Sequence, residues 1–387
     1  VSIAADPPRP AAAGRAADIS PTERFLRFVW LFVLLYAFLA AIDVLGTGLA
    51  GLGEDFVDAL FRGIENPLVG LFVGTLATVL AQSSSVTTPT IVSLVGAGVI
   101  GVPEAVPIIM GANIGTTVTN TLASVGSIRR PEEFRRAFTG ATMHDVFNIT
   151  IVAILLPLEL ATGFLARTAV VLSGLVGNPT TGEFRSPAKE AVGFISDALG
   201  ALAHDVAGPG TLSGVLLIGL GLAIIFASLV AITRNMRVVI AGAAERSLNA
   251  LLGRSGAIGI AVGAVLTVSV QSSSIATSLL IPMIAAGVLT LENAYPITLG
   301  ANIGTTVTAL LAALAVDRIE GLQIALVHLL FNVSGVLLLY PVPALRRIPL
   351  RVAARIAAAA AQRRALVAVY IVLAFYAVPF VGIVVLR

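Results

Sequence analysis

The sequence predicts an all-α polytopic membrane protein made of two inverted-topology repeats, each with a re-entrant helical hairpin and a discontinuous substrate site. Three observations predict it. The 387 residues are 57% hydrophobic and only 12% charged, with a mean hydropathy of +0.99. Apolar runs of spanning length recur along the chain. One polar tetrad, Gln-Ser-Ser-Ser, occurs twice, at 82–85 and 271–274, and each copy interrupts a pair of shorter apolar runs.

Soluble domains are about one quarter charged, and a soluble core of this length has no room for so much apolar surface. A lipid bilayer is therefore the expected solvent. The net charge is +3, but the arginines fall in short stretches between apolar runs, where membrane topology uses them. No nucleic-acid partner is expected. There is no Cys, which excludes disulfides, thiol catalysis and Cys metal sites. Three His residues leave little for a His-based metal cluster. No GxxxxGK[ST], HExxH or GxSxG pattern occurs, so neither ATP-driven pumping nor the usual hydrolase chemistry has support. No enzyme activity and no resident cofactor are expected.

Taken in order, residues 1–27 read as a disordered cytoplasmic tail, because the first twenty are rich in Ala, Pro and Arg without the apolar core of a signal peptide. Spanning runs need ~20 apolar residues. They fall near 28–49, 105–126, 137–158, 212–233, 294–316, 322–341 and 366–386. The runs 67–81, 86–101, 256–270 and 275–291 are too short to span. Paired around the tetrads, they predict re-entrant hairpins over about 67–101 and 256–291. Irregular backbone at membrane depth is tolerated only where protein buries it or a cavity meets it. Residues 51–65 and 345–364 look amphipathic. The second, with Arg spaced through Ala, suits a helix on the cytoplasmic surface. Residues 176–210, mixed in charge with Gly, Pro and Thr, are expected to be a long extracellular loop. The organisation is thus repeat 1 over 28–175, repeat 2 over 211–364 and a last transmembrane helix over 365–387. With the N-terminus cytoplasmic and both hairpins returning to their own side, most of the 24 Lys and Arg lie inside. The hairpins then enter from opposite faces.

The repeat is legible residue by residue. The tetrad recurs 189 positions on (82 to 271), and at the same offset Gly111-Ala-Asn-Ile-Gly-Thr-Thr-Val-Thr119 recurs unchanged as Gly300 through Thr308. His144-x-x-Phe147-Asn148 is matched by His328-x-x-Phe331-Asn332 at an offset of 184. A nine-residue identity inside two matched contexts marks an internal repeat. Inverted repeats with broken helices are a transporter pattern, with the site at their interface near the midplane.

These motifs have a definite chemistry. The tetrads offer the hydroxyls of Ser83, Ser84, Ser85, Ser272, Ser273 and Ser274 and the amides of Gln82 and Gln271. A helix starting after each break aims free N–H groups and its positive dipole end at the break, which suits an oxyanion. Carbonyls ending the preceding half-helix, with Ser, Thr and Gln oxygens, suit a hard cation. Asn113, Thr116, Asn302 and Thr305 add oxygens from the glycine-containing blocks. The bland alternative is that small and hydroxylated residues merely hold helices together. Two clusters at equivalent positions, each inside a broken hairpin, favour a site. Asp145, near the start of a span, is expected to be a cation ligand; the alternative is a helix-start acid facing the cytoplasmic interface. Leu329 holds the equivalent place in repeat 2. His144 and His328 are expected to pack or hydrogen-bond, and Asp43 to sit at an interface.

The tetrads, the Gly-Ala-Asn blocks, Phe134 through Asn148 and Leu155 through Gly163 together resemble the type II sodium–phosphate cotransporter family, from about residue 28 to the end. The resemblance implies sodium-driven uptake of inorganic phosphate by alternating access. It implies that Gln271, Ser272, Thr305 and Thr308 coordinate one sodium and that the two Ser triplets line the phosphate. Asp145 matches the acid that marks electrogenic members, where electroneutral ones have Gly. Sodium enters as a co-transported ion, and phosphate, sodium and the bilayer are the expected partners. The outer loop of animal members is much reduced and their C-terminal tail is missing, which suits a bacterial plasma-membrane protein. The rivals are a proton-coupled or other-oxyanion transporter and an anion channel with two re-entrant loops.

Overall fold

A computed structural model describes residues 20–52, 66–175, 187–208, 210–250 and 256–387. Among these the regular elements are helical, as a chain must be to satisfy its backbone in lipid without closing a barrel. Among the described residues six helices are long and apolar enough to cross a membrane. The first, α1 (Pro21–Ala50), begins seven residues before the expected span. Ser20 caps it, its hydroxyl accepting from the Glu23 N–H, and Pro21 opens its first turn. Residues 20–27 of the expected tail are therefore the cap and first turns of a helix; residues 1–19, and 53–65 of the amphipathic stretch 51–65, lie outside the described residues.

Repeat 1 continues with α2 (Pro67–Ala81), α3 (Ser84–Gly96), α4 (Val102–Gly115), α5 (Val118–Val125), α6 (Pro131–Thr162) and α7 (Phe164–Gly174). The run 105–126 is thus not one helix but two. At the junction Thr117 donates both its N–H and its hydroxyl to the Ile114 carbonyl. That replaces the i→i−4 pattern with i→i−3 contacts, a change to which hydropathy is blind.

The expected loop 176–210 is largely a helix, α8 (Pro187–Ala207). Its Ala-rich sequence is a good helix former, and it packs against α1 and the 40-residue α9 (Thr211–Ala250). The expected repeat 2, 211–364, runs from α9 through α10 (Gly256–Val270), α11 (Ser273–Ser278), α12 (Leu280–Ala285), α13 (Leu291–Ala313), α14 (Ile319–Leu339) and the arginine-bearing α15 (Pro343–Gln362). After it come α16 (Ala365–Val372), a π-helical turn (Leu373–Ala377) and α17 (Val378–Leu386).

Glycine pairs decide the packing inside each repeat. α2 lies on α4, and α10 on α13. A Cβ on Gly74 would run into the Ile108 carbonyl, and one on Gly111 into that of Leu71. Gly263 and Gly300 stand in the same relation to Ile297 and Ile260. Only glycine permits this backbone-to-backbone approach, which in lipid substitutes van der Waals packing for the missing hydrophobic drive. Between repeats the packing is crossed. α3 docks on α13 and α14, while α11 and α12 dock on α5 and α6. One apolar cluster accordingly joins Ile91, Val92 and Val95 of α3 to Ala309, Ala312, Leu322 and Ala325.

Candidate functional site

The two tetrads adopt one backbone. Gln82 has φ 51 and Gln271 φ 54, the only non-glycine residues with positive φ among those described. Ser83 and Ser272 are extended, at φ −159 and −157, both with ψ 110. The chain leaves each first half-helix through a left-handed residue and starts the next after one extended serine. A Gln in this region is strained, and two such residues at equivalent positions point to function.

The tetrads also meet. The Ser85 hydroxyl donates to the Gln271 carbonyl at 3.0 Å, so the first break touches the second. Their side chains differ in setting. Gln271 is buried, its Oε1 accepting from Thr308 Oγ1 at 3.1 Å and its amide donating to the Val268 carbonyl at 2.7 Å. Gln82 is exposed. Ser272 caps α11 through Ile275 N–H, whereas Ser83 makes no side-chain cap. Ser84, Ser85, Ser273 and Ser274 are all buried. Thr116 and Thr305 each donate to the carbonyl four residues back, which leaves lone pairs on both hydroxyls.

Asn113 and Asn302 are already engaged by the protein. Asn302 Nδ2 donates to Asn148 Oδ1 at 2.8 Å, and its Oδ1 lies 2.6 Å from His144 Nε2. Asn148 donates to the Asn113 carbonyl, and Asn332 to Asn113 Oδ1. His144 Nδ1 faces the Asn120 amide, whose Oδ1 accepts from Thr277 of α11. An Nε2–H tautomer of His144 satisfies both contacts. This chain of amides ties both repeats together.

Asp145 is not a helix-start acid. It sits mid-way along the 32-residue α6 and is 1% exposed. At 1.5 Å per residue it stands about 21 Å from the helix start. Thr121 donates to its Oδ2 at 3.2 Å and Tyr370 of α16 at 2.6 Å, while Oδ1 is buried without a partner. Asp43 is likewise buried rather than interfacial, with Ser196 of α8 donating to it at 2.5 Å.

The family described as Na+/Pi-cotransporter matches residues 37–170 and 224–348, which contain both tetrads and Asp145. This chain belongs to that family. It is 33% identical to the rat (Rattus norvegicus) sodium-dependent phosphate transport protein 2A, over 96% of this chain and 69% of that protein. It is 32% identical to the human (Homo sapiens) sodium-dependent phosphate transport protein 2B, over 91% of this chain and 64% of that protein. No solved structure matches it. Tyr370, which makes the shorter of the two hydrogen bonds to Asp145 Oδ2, lies beyond the segments that match the cotransporter family. Because it is also outside the repeat, no internal pairing could have flagged it. Asn148 and Asn332 were visible as a repeated pair, but their role as cross-links was not.

Proposed function

We propose that this chain carries inorganic phosphate across the plasma membrane together with sodium, by alternating access. Its family supports the reading, and the observation that carries it is the meeting of two identically shaped tetrad breaks through Ser85 and Gln271. Neither tetrad nor either Gly-Ala-Asn block holds a Lys or Arg. A phosphate anion there is met by hydroxyls, N–H groups and helix ends alone. Such partial charges only partly offset a dianion in a medium of low dielectric constant. A co-bound cation completes the balance, so each ion raises the other's affinity. The lack of a fixed positive charge in these motifs supports coupling to a cation, and the family supports sodium as that cation.

In this reading Ser83, Ser84, Ser85, Ser273 and Ser274 surround phosphate, with Asn113 and Asn302 behind them. Gln271, Ser272, Thr305 and Thr308 hold sodium, with Gln82 and Thr116 as their counterparts in repeat 1. Asp145 holds a further sodium through its unpartnered oxygen, and that ion makes transport electrogenic. The two helix–break–helix units are re-entrant hairpins entering from opposite faces, α4 and α5 together make one crossing, and the N-terminus is cytoplasmic.

The test is uptake of radiolabelled phosphate into proteoliposomes with a sodium, potassium or proton gradient as the sole drive. Concentrative uptake is expected only with sodium. Uptake that follows the proton gradient, or that equilibrates without accumulation, overturns the reading in favour of proton coupling or a channel. Competition by sulfate or arsenate as strong as by phosphate itself overturns the substrate assignment.

A further inference from the structure

Away from the tetrads, a cavity of about 620 Å³ opens between the starts of α10 and α13 and the first turns of α15. Pockets of roughly 300–1,000 Å³ hold small ligands. Arg346, Arg347 and Arg351 line it, with Tyr295, Tyr340 and a single acid, Glu292. None of the three arginines has an ion-pair partner among the described residues. The Arg346 guanidinium lies 5.2 Å above the Tyr340 ring, which holds it in place and leaves its N–H groups free to donate. Tyr295 is 1% exposed, and its hydroxyl is buried without a hydrogen-bond partner. A buried, unmatched hydroxyl costs free energy, and beside three unpaired guanidinium groups it calls for an acceptor. Leu345 and Ile348, exposed next to the arginines, give α15 the mixed face of a helix at a membrane interface.

We propose that this cavity is a binding site for a phosphoryl anion, either the headgroup of an anionic phospholipid or free phosphate. Arg346, Arg347 and Arg351 supply paired N–H groups to its oxygens, and the Tyr295 hydroxyl donates to one of them. Glu292 opposes the ligand and limits its affinity. The site shares no residue with the tetrads, so it stands whether or not they bind phosphate.

The experiment has two arms, both on the full chain in neutral detergent. Native mass spectrometry counts retained phosphatidylglycerol against phosphatidylcholine. Labelled orthophosphate binding is measured in potassium buffer without sodium. The proteins compared are wild type, Arg346→Gln/Arg347→Gln/Arg351→Gln, Tyr295→Phe and Glu292→Gln. The triple variant is expected to weaken binding by at least about tenfold, as loss of charge-assisted hydrogen bonds implies. Tyr295→Phe, which keeps the ring, weakens it less, and Glu292→Gln tightens it. Glu292→Gln keeps the test valid if the triple variant misfolds, because damage to the fold does not raise affinity. These changes in the lipid arm identify a headgroup, and in the phosphate arm a free anion. Equal binding by wild type and Glu292→Gln in both arms, or none by wild type in either, overturns the proposal.

Discussion

Asp145 is a carboxylate in the middle of a spanning helix, and its two oxygens have different surroundings. Oδ2 is held by Thr121 and Tyr370, while Oδ1 is buried without a hydrogen-bond partner. A buried charge left half-satisfied is destabilising unless an opposite charge joins it, which is the physical case for a cation there. Asp145→Gly is expected to abolish phosphate-induced current while sodium-dependent uptake of tracer continues, as measured by electrophysiology and flux on the same proteoliposomes. Unchanged current would remove Asp145 from the charge-carrying step. The sequence exposed this acid through its broken symmetry with Leu329, but its surroundings stayed hidden. Thr121 corresponds to Leu310 at the repeat offset, and Tyr370 has no repeat partner at all. Residues that support an asymmetric site leave no trace in a symmetric pattern.

Among the elements, the paired helices α2–α4 and α10–α13 are joined closely, because backbone meets backbone at Gly74, Gly111, Gly263 and Gly300. Gly111→Ala is expected to destabilise the folded protein by about 1–3 kcal/mol, the usual cost of overpacking, visible as a lower unfolding midpoint in detergent. Gly193→Ala, where nothing lies within 4 Å of an added Cβ, should leave it unchanged. Equal midpoints for both variants would refute the close approach. Hydropathy and repetition made the tetrad-broken pairs legible, since a polar tetrad between apolar runs has few other solutions. They could not reveal the break at Thr116–Thr117, which depends on a hydroxyl choosing its own turn. Nor did they reveal α8, whose mixed charge read as loop until its contacts with α1 and α9 supplied a face to bury.

At the scale of the whole molecule, the repeats interlock by exchanging their post-tetrad helices. If the hairpins enter from opposite faces, the segment before α6 and the segment before α14 lie on opposite sides of the membrane. Arg129 and Arg318 are exposed there, and the chain has no native cysteine to remove. Arg318→Cys is expected to react with an impermeant maleimide added outside right-side-out vesicles, and Arg129→Cys only after permeabilisation. Labelling of both from the same side would reject inverted topology.

The contact between Ser85 and Gln271 joins positions 186 residues apart. At ribosomal speeds of about 5–20 residues per second, the earlier tetrad waits roughly 10–40 s for its partner to be made. During that interval the first tetrad has nothing to dock on, and its unpaired polar groups favour water over hydrocarbon. A nascent chain arrested before residue 271 should therefore be cut within 82–85 by added protease more readily than one arrested after residue 313; equal cutting would show that the kink finds shelter without its partner. Biogenesis of this protein thus has a vulnerable window that ends when the second break emerges.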